Sequence, residues 1–192
     1  MNSNKDEEVR NQILSSAKRI FQKYGLHKTT MEDIAVEAGK GKSTLYYYFK
    51  SKEEIFEVVA RAEMDAIIAK AKESLNGVDG MKMKLRKFLT SSIYEIKQTT
   101  NLYSLVKGEM KGDKEFLDKL SGVLNVMAEQ PVIEILQKGM QSGELSFLKE
   151  SELSKAANIL IVIMRGIITY LFFENDDNET IELAIRLITD GV

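Results

Sequence analysis

TTMEDIAVEAGKGKSTLYYYFKSKEE, residues 29–54, reads as two short helices joined across a glycine turn. Thr30 is a natural N-cap and Asp33 follows three residues later, the pattern of a capping box. Ile34, Ala35 and Ala38 recur at helical spacing, and Gly39 stands where a helix end needs a left-handed residue. Beyond Lys40 and Gly41, the run from Lys42 to Phe49 forms a second helix. Ser51 and Glu54 then mark another capping box that opens a longer helix. Gly41 supplies no side-chain cap for the Lys42 helix. Helix, tight turn and helix is the layout of a helix-turn-helix unit, whose second helix enters the DNA major groove.

The four aromatics from Tyr46 to Phe49 sharpen that reading. Successive helical side chains point about 100° apart, so consecutive aromatics cannot all face one core. Leu45 and Phe49, four apart, share the buried face. Tyr46, Tyr47 and Tyr48 fan around the helix, leaving at least one ring at the surface, and an exposed aromatic cluster marks a contact site. Between Ala38 and Lys52 the chain has lysines at 40, 42, 50 and 52 and no acid, although the whole protein is at −2. Lysine attracts phosphate, and tyrosine or threonine hydroxyls can bond phosphate oxygens or base edges.

From Ile13 to Phe56 the chain resembles the TetR family of bacterial transcription regulators. The resemblance rests on Phe21, Tyr24-Gly25, Thr29-Thr30, Ile34-Ala35, Ala38-Gly39, Thr44-Leu45-Tyr46, Tyr48-Phe49 and Ser51-Lys52. Lys40 and Gly41 depart from it, since the family usually has a small apolar residue and then serine there. The resemblance implies that Thr30 binds a phosphate and that Lys42, Ser43, Thr44 and Tyr46 line the groove-facing side. It implies that Tyr47 and Tyr48 lie against the DNA backbone and that Lys52 pairs with a phosphate. Beyond about residue 60 it extends only to the helical layout.

Gly41-Lys42-Ser43 also imitates the tail of the phosphate-loop pattern G-x-x-x-x-G-K-[ST]. Val36 stands where that pattern needs its first glycine, and Met31 to Ala38 has helical periodicity where it needs a strand. With 192 residues the chain suits one or two domains. The absence of cysteine excludes disulfides and thiolate metal sites and fits a reducing cytoplasm. The polar N-terminus, MNSNKDEEVRNQ, does not read as a secretory signal. Ala156 to Phe173 is long and apolar, but Asn158 and Arg165 lie inside it, so a buried interface helix is expected rather than a membrane span.

The rest of the chain reads as all-α, about nine helices in total. Helix one spans Asp6 to Tyr24, with Val9, Ile13, Leu14, Ala17, Ile20 and Phe21 on one stripe and Gly25 as its stop. Further helices are expected over Ser51–Leu75, Met81–Gln98, Leu102–Lys111, Lys114–Gln141, Glu152–Glu174 and Glu179–Asp190. Pro131 should bend or break the long one. Residues 1–55 carry 10 basic and 8 acidic side chains (+2), and residues 56–192 carry 17 and 21 (−4). The expected division is therefore a DNA-binding domain at 1–55 and an effector-binding and dimerisation domain at 56–192. Ile159, Leu160, Ile163, Ile167, Tyr170 and Leu171, with Ile181, Leu183, Ala184, Leu187 and Ile188, exceed what one helix face buries. Such surplus suits a two-fold interface, with Ile159, Ile163, Ile167, Leu171, Ala184, Leu187 and Ile188 as the candidates.

Candidate ligand contacts are less distinct. Met110, Met127, Met140 and Met164 suit an adaptable apolar cavity. Tyr94, Gln98, Tyr103, Glu109, Arg165 and Tyr170 could supply its polar contacts; equally, the methionines could simply fill a core. His27, the single histidine, makes no metal or catalytic site alone, and no cofactor is expected. The function expected is a cytoplasmic TetR-like repressor, a homodimer that binds a palindromic double-stranded operator and leaves it when a mostly apolar small molecule binds. Two alternatives stay open: a DNA-binding member without a small-molecule effector, and a phosphate-loop NTPase.

Overall fold

The computed structural model describes residues 2–98, 114–173 and 178–191, with side chains over 5–98, 127–168 and 178–191. The described residues contain helices and no strand. They are α1 (Asn2–Lys28), α2 (Met31–Glu37), α3 (Lys42–Tyr48), α4 (Lys52–Glu73), α5 (Met81–Gln98), α6 (Lys114–Ser142), α7 (Leu153–Phe173) and α8 (Asn178–Asp190). A 3-10 turn, Glu150–Glu152, leads into α7. The helix expected over 102–111 lies outside the described residues. No described helix is long and apolar enough to cross a membrane.

One compact unit holds residues 2–63 with 114–120, and the other holds 64–98 with 121–173 and 178–191. In the first, Ile13, Ala17 and Phe21 of α1 are buried, as are Ile34, Leu45, Phe49, Ile55 and Phe56 from the next three helices. The Phe21 and Phe56 rings meet edge to face with centroids 5.4 Å apart, a favoured aromatic geometry. Gly25 has φ 77° and ψ 167°, so the first helix is interrupted at the expected stop, and one further turn leads to Thr29. The Thr29 hydroxyl, buried, donates to the Gly25 carbonyl at 2.6 Å. Gln12 Nε2 donates to the Ala38 carbonyl at 3.1 Å, tying α1 to the end of α2.

In the second unit α5 packs on α8. Leu85, Phe88, Leu89, Ile93 and Ile96 of α5 are buried, as are Ile181 and Ile185 of α8. Arg86 donates to the Thr189 hydroxyl at 3.2 Å and pairs with the Asp190 carboxylate. Both Glu144 oxygens accept the Met81 N–H at 3.0 Å, capping α5 from a residue far along the chain. That backbone bond, then the Ser142 hydroxyl, holds the Glu144 carboxyl below its ordinary range.

α6 continues through Pro131 without the break that the sequence allows. Proline there costs about 3 kcal/mol, but Ala128, Val132, Ile135 and Leu136 are buried on both sides of it. Burial at roughly 1.5–3 kcal/mol per large aliphatic side chain outweighs that cost. Gly139 marks a close approach: a Cβ built there would lie 2.5 Å from Met81 Cγ and 2.8 Å from Met81 Cβ. Gly139→Ala should therefore destabilise the protein by about 1–3 kcal/mol through overpacking, despite alanine's helix preference of about 1 kcal/mol over glycine. Urea unfolding measures it, and a stabilised variant would show that Met81 moves aside freely.

Candidate nucleic-acid interface

The candidate interface is built on a short, capped α2. Thr30 is its N-cap: its hydroxyl oxygen accepts the Asp33 N–H at 3.1 Å, and the Asp33 carboxylate accepts the Thr30 N–H at 2.9 Å. The capping box expected at Thr30 is thus present. The Thr30 hydroxyl also donates to Asp33 at 2.7 Å. That bond, then the Thr30 backbone N–H, keeps the Asp33 carboxyl below its ordinary range. Gly39 ends α2 with φ 61°, a left-handed conformation that a Cβ disfavours.

Thr30→Ala should lower stability by about 1 kcal/mol at neutral pH through loss of the cap. Asp33 has a depressed folded-state pKa, so its bonds contribute above the unfolded-state pKa and disappear as pH falls through the folded one. The difference between variant and parent should therefore shrink on acidification. Urea unfolding across acid pH tests this, and an undiminished difference at acid pH would remove Asp33 from the cap's energetics.

α3 opens at Gly41, which gives it no side-chain cap. Leu45 and Phe49 are buried, whereas Tyr46 is 49% and Tyr47 77% exposed, so the aromatics divide between core and surface as their spacing requires. Lys42 and Ser43 are exposed, and Thr44 and Tyr48 are half-buried. Tyr47 and Tyr48 meet edge to face at 5.0 Å. The Tyr48 hydroxyl donates to Asp6 Oδ1 at 3.0 Å; desolvation, then this bond, pushes its pKa above the ordinary tyrosine value. Arg10 lies over the Phe49 ring, 5.1 Å from its centroid. The Tyr48–Asp6 and Arg10–Phe49 contacts tie the end of α3 to α1.

Two lysines are already engaged. Lys52 Nζ donates to the carbonyls of Leu26 at 2.8 Å, His27 at 3.1 Å and Thr29 at 2.8 Å. The residue that the resemblance gives to phosphate therefore also holds the α1–α2 connection. Lys42 Nζ lies 3.2 Å from Glu32 Oε2. Sequence reasoning missed Glu32, Asp6 and Arg10, because their contacts span 10 to 42 residues and carry no short-range signal. The box at Ser51 is also offset: its hydroxyl accepts the Glu54 N–H at 3.2 Å, but Glu54 accepts the Lys50 N–H at 2.6 Å rather than that of Ser51. Gly41-Lys42-Ser43 begins a helix that follows another helix, which removes the strand a phosphate loop needs.

The other candidates lie in the second unit. Ile159, Ile163 and Leu187 are exposed; Ile167, Ala184 and Ile188 are half-buried. The Leu171 side chain lies outside the described residues. Tyr94 is exposed and lines a cavity of about 320 Å³ between α5 and α8, with Arg86, Ile93, Lys97, Ile181 and Arg186 among its other walls. Met127, Met140 and Arg165 are half-buried and Met164 is buried. None of these four lines that cavity. Tyr103, Glu109, Met110 and the Tyr170 side chain lie outside the described residues. Among the described residues no group of three or more His, Asp or Glu side chains could hold a metal ion.

Residues 13–59 match the model for bacterial regulatory proteins of the tetR family. The chain is 28% identical over 139 residues to the fatty acid metabolism regulator protein of Bacillus subtilis, covering 70% of this chain and 69% of that protein. It is 27% identical over 195 aligned positions to the transcriptional regulator RutR of Escherichia coli, covering 94% and 88%. FadR of Bacillus subtilis, solved with stearoyl-CoA, superposes with TM-score 0.72 at 22% identity over 94% and 98% of the two chains. FadR of Bacillus halodurans superposes with TM-score 0.73 at 18% identity over 94% of each. These relatives are transcriptional regulators and not enzymes. Residues 13–59, the helix-turn-helix segment, thus match bacterial regulatory proteins of the tetR family, and the fold of the described helices is similar to that of these regulators along nearly the whole chain.

Proposed function

We propose that the chain is a cytoplasmic repressor that binds a palindromic operator as a homodimer and is released by a small-molecule effector. The observation that carries the DNA-binding part is α3, which buries Leu45 and Phe49 while presenting Tyr46, Tyr47, Lys42 and Ser43. Lys42, Ser43, Thr44 and Tyr46 face the groove in this reading, with Thr30, Tyr47, Tyr48 and Lys52 toward the backbone. Residues 1–55 supply this domain and 56–192 supply dimerisation and effector binding. The dimer is supported by apolar side chains left at the surface of α7 and α8: Ile159 is 60% and Leu187 69% exposed.

The effector proposed is mostly apolar and carries an acyl chain, since the Bacillus subtilis relative is a fatty acid metabolism regulator. Its expected lining, Met110, Met127, Tyr103 and Arg165, belongs to the same proposal. A ligand releases DNA only through its differential affinity for the bound and free conformations.

The test is selection of bound duplexes from random DNA. Inverted repeats are expected, with half-sites spaced one helical turn or somewhat more, about 34–36 Å at the least, and with affinity falling steeply as salt rises. Selected sites without an inverted repeat would overturn the two-fold reading. Stearoyl-CoA serves as the effector probe: failure to lower operator affinity would remove this effector class and leave DNA recognition standing.

A further inference from the structure

We infer that Glu32 acts as an internal competitor for Lys42, setting how tightly the helix-turn-helix holds DNA. The inference rests on the DNA-binding reading above. Lys42 is the first residue of α3, and its Nζ lies 3.2 Å from Glu32 Oε2 in the first turn of α2. The two side chains are 53% and 68% exposed, so each can leave the other.

Nearby acids are committed elsewhere. Asp33 closes the capping box with Thr30, Glu37 lies 2.7 Å from Arg19 Nε, and Glu54 accepts the Lys50 N–H. Glu32 instead reaches across the glycine turn to the lysine expected to enter the groove. A cation in the first turn of a helix opposes the helix dipole, and a carboxylate beside it offsets that cost. The pair therefore suits the free protein.

On DNA the same pair becomes a handicap. For Lys42 to displace a counterion from phosphate, or to donate to a base acceptor, it must leave Glu32. The carboxylate is then left facing a polyanion without its cation. Glu32 thus lowers affinity in two ways: it holds Lys42 back, and it reduces the net positive charge of the contact face. An exposed pair of this kind is weak, so it tunes affinity without blocking binding.

The experiment measures operator and random-duplex affinity across salt for the full-length protein, Glu32→Gln, Lys42→Met and the double variant. Glu32→Gln should tighten binding about threefold to fivefold at low salt and steepen the log-log salt slope by up to about 0.9. Most of that gain should vanish in the Lys42→Met background, which isolates the pairwise coupling. A Glu32→Gln variant that binds no better than the parent overturns the inference, as does a gain that survives intact without Lys42. A parent protein that binds no duplex at all overturns the DNA reading itself, a distinct result. Thermal unfolding of each variant separates these outcomes from loss of fold, and the exposed pair should leave the melting temperature nearly unchanged.

Discussion

Lys52→Met lowers the stability of the α1–α4 unit by about 2–4 kcal/mol and weakens binding to every DNA sequence alike. The expectation follows from three carbonyls held by one ammonium, those of Leu26, His27 and Thr29, at 2.8–3.1 Å. Hydrogen bonds to a charged donor contribute roughly 1.5–3 kcal/mol each when isolated. The site is only half-buried and water can replace part of what is lost, which reduces the total. Thr29 immediately precedes the α2 cap, so loosening its carbonyl misplaces Thr30 and, through α2, the turn that sets α3. Lys52→Arg should not restore the arrangement, because a planar guanidinium cannot match three donors diverging from one nitrogen. Urea unfolding and salt-dependent binding to operator and random duplex measure both effects. Unchanged stability with a loss of affinity would return Lys52 to a purely phosphate-binding role.

The difference between those roles shows what a sequence displays and what it conceals. The Thr30 cap, the Gly39 stop and the buried pair Leu45–Phe49 all rest on relations within five residues, where backbone geometry alone fixes the outcome. They are legible as letters. The partners of Lys52 are carbonyls, which every residue carries, so no spacing could mark them. Glu32 and Lys42 meet because the glycine turn folds α2 against α3, and Asp6 meets Tyr48 because α1 packs on α2, which packs on α3. Such contacts depend on tertiary packing. The continuity of α6 through Pro131 is similar: local chemistry argues for a break, and apolar burial on each side wins. The proposed effector site is least legible, since a methionine in a cavity and one in a core obey the same helical period.

Leu187→Asp converts the protein to a monomer and abolishes tight operator binding, while each monomer stays folded. Leu187 is 69% exposed on α8, and Ile159 is 60% and Ile163 40% exposed on α7, so an aspartate at 187 costs the isolated chain little. In the proposed two-fold interface the substitution acts twice, once from each protomer, and buries two unpaired like charges. Removing a packed anchor and leaving a desolvated charge costs several kcal/mol, enough to shift a dimer by more than a thousandfold in dissociation constant at about 1.4 kcal/mol per tenfold. Operator affinity then falls with it, because two half-sites bound by separate monomers lose the effective concentration that a dimer provides. Sedimentation equilibrium reads the assembly, circular dichroism reads the fold, and binding to one or two half-sites reads the coupling. Half-site affinity should persist when full-site affinity is lost. A variant that remains dimeric and binds the full operator normally would place the interface away from α8. A monomer that still binds the full site as tightly as the parent would show that dimerisation contributes nothing to recognition.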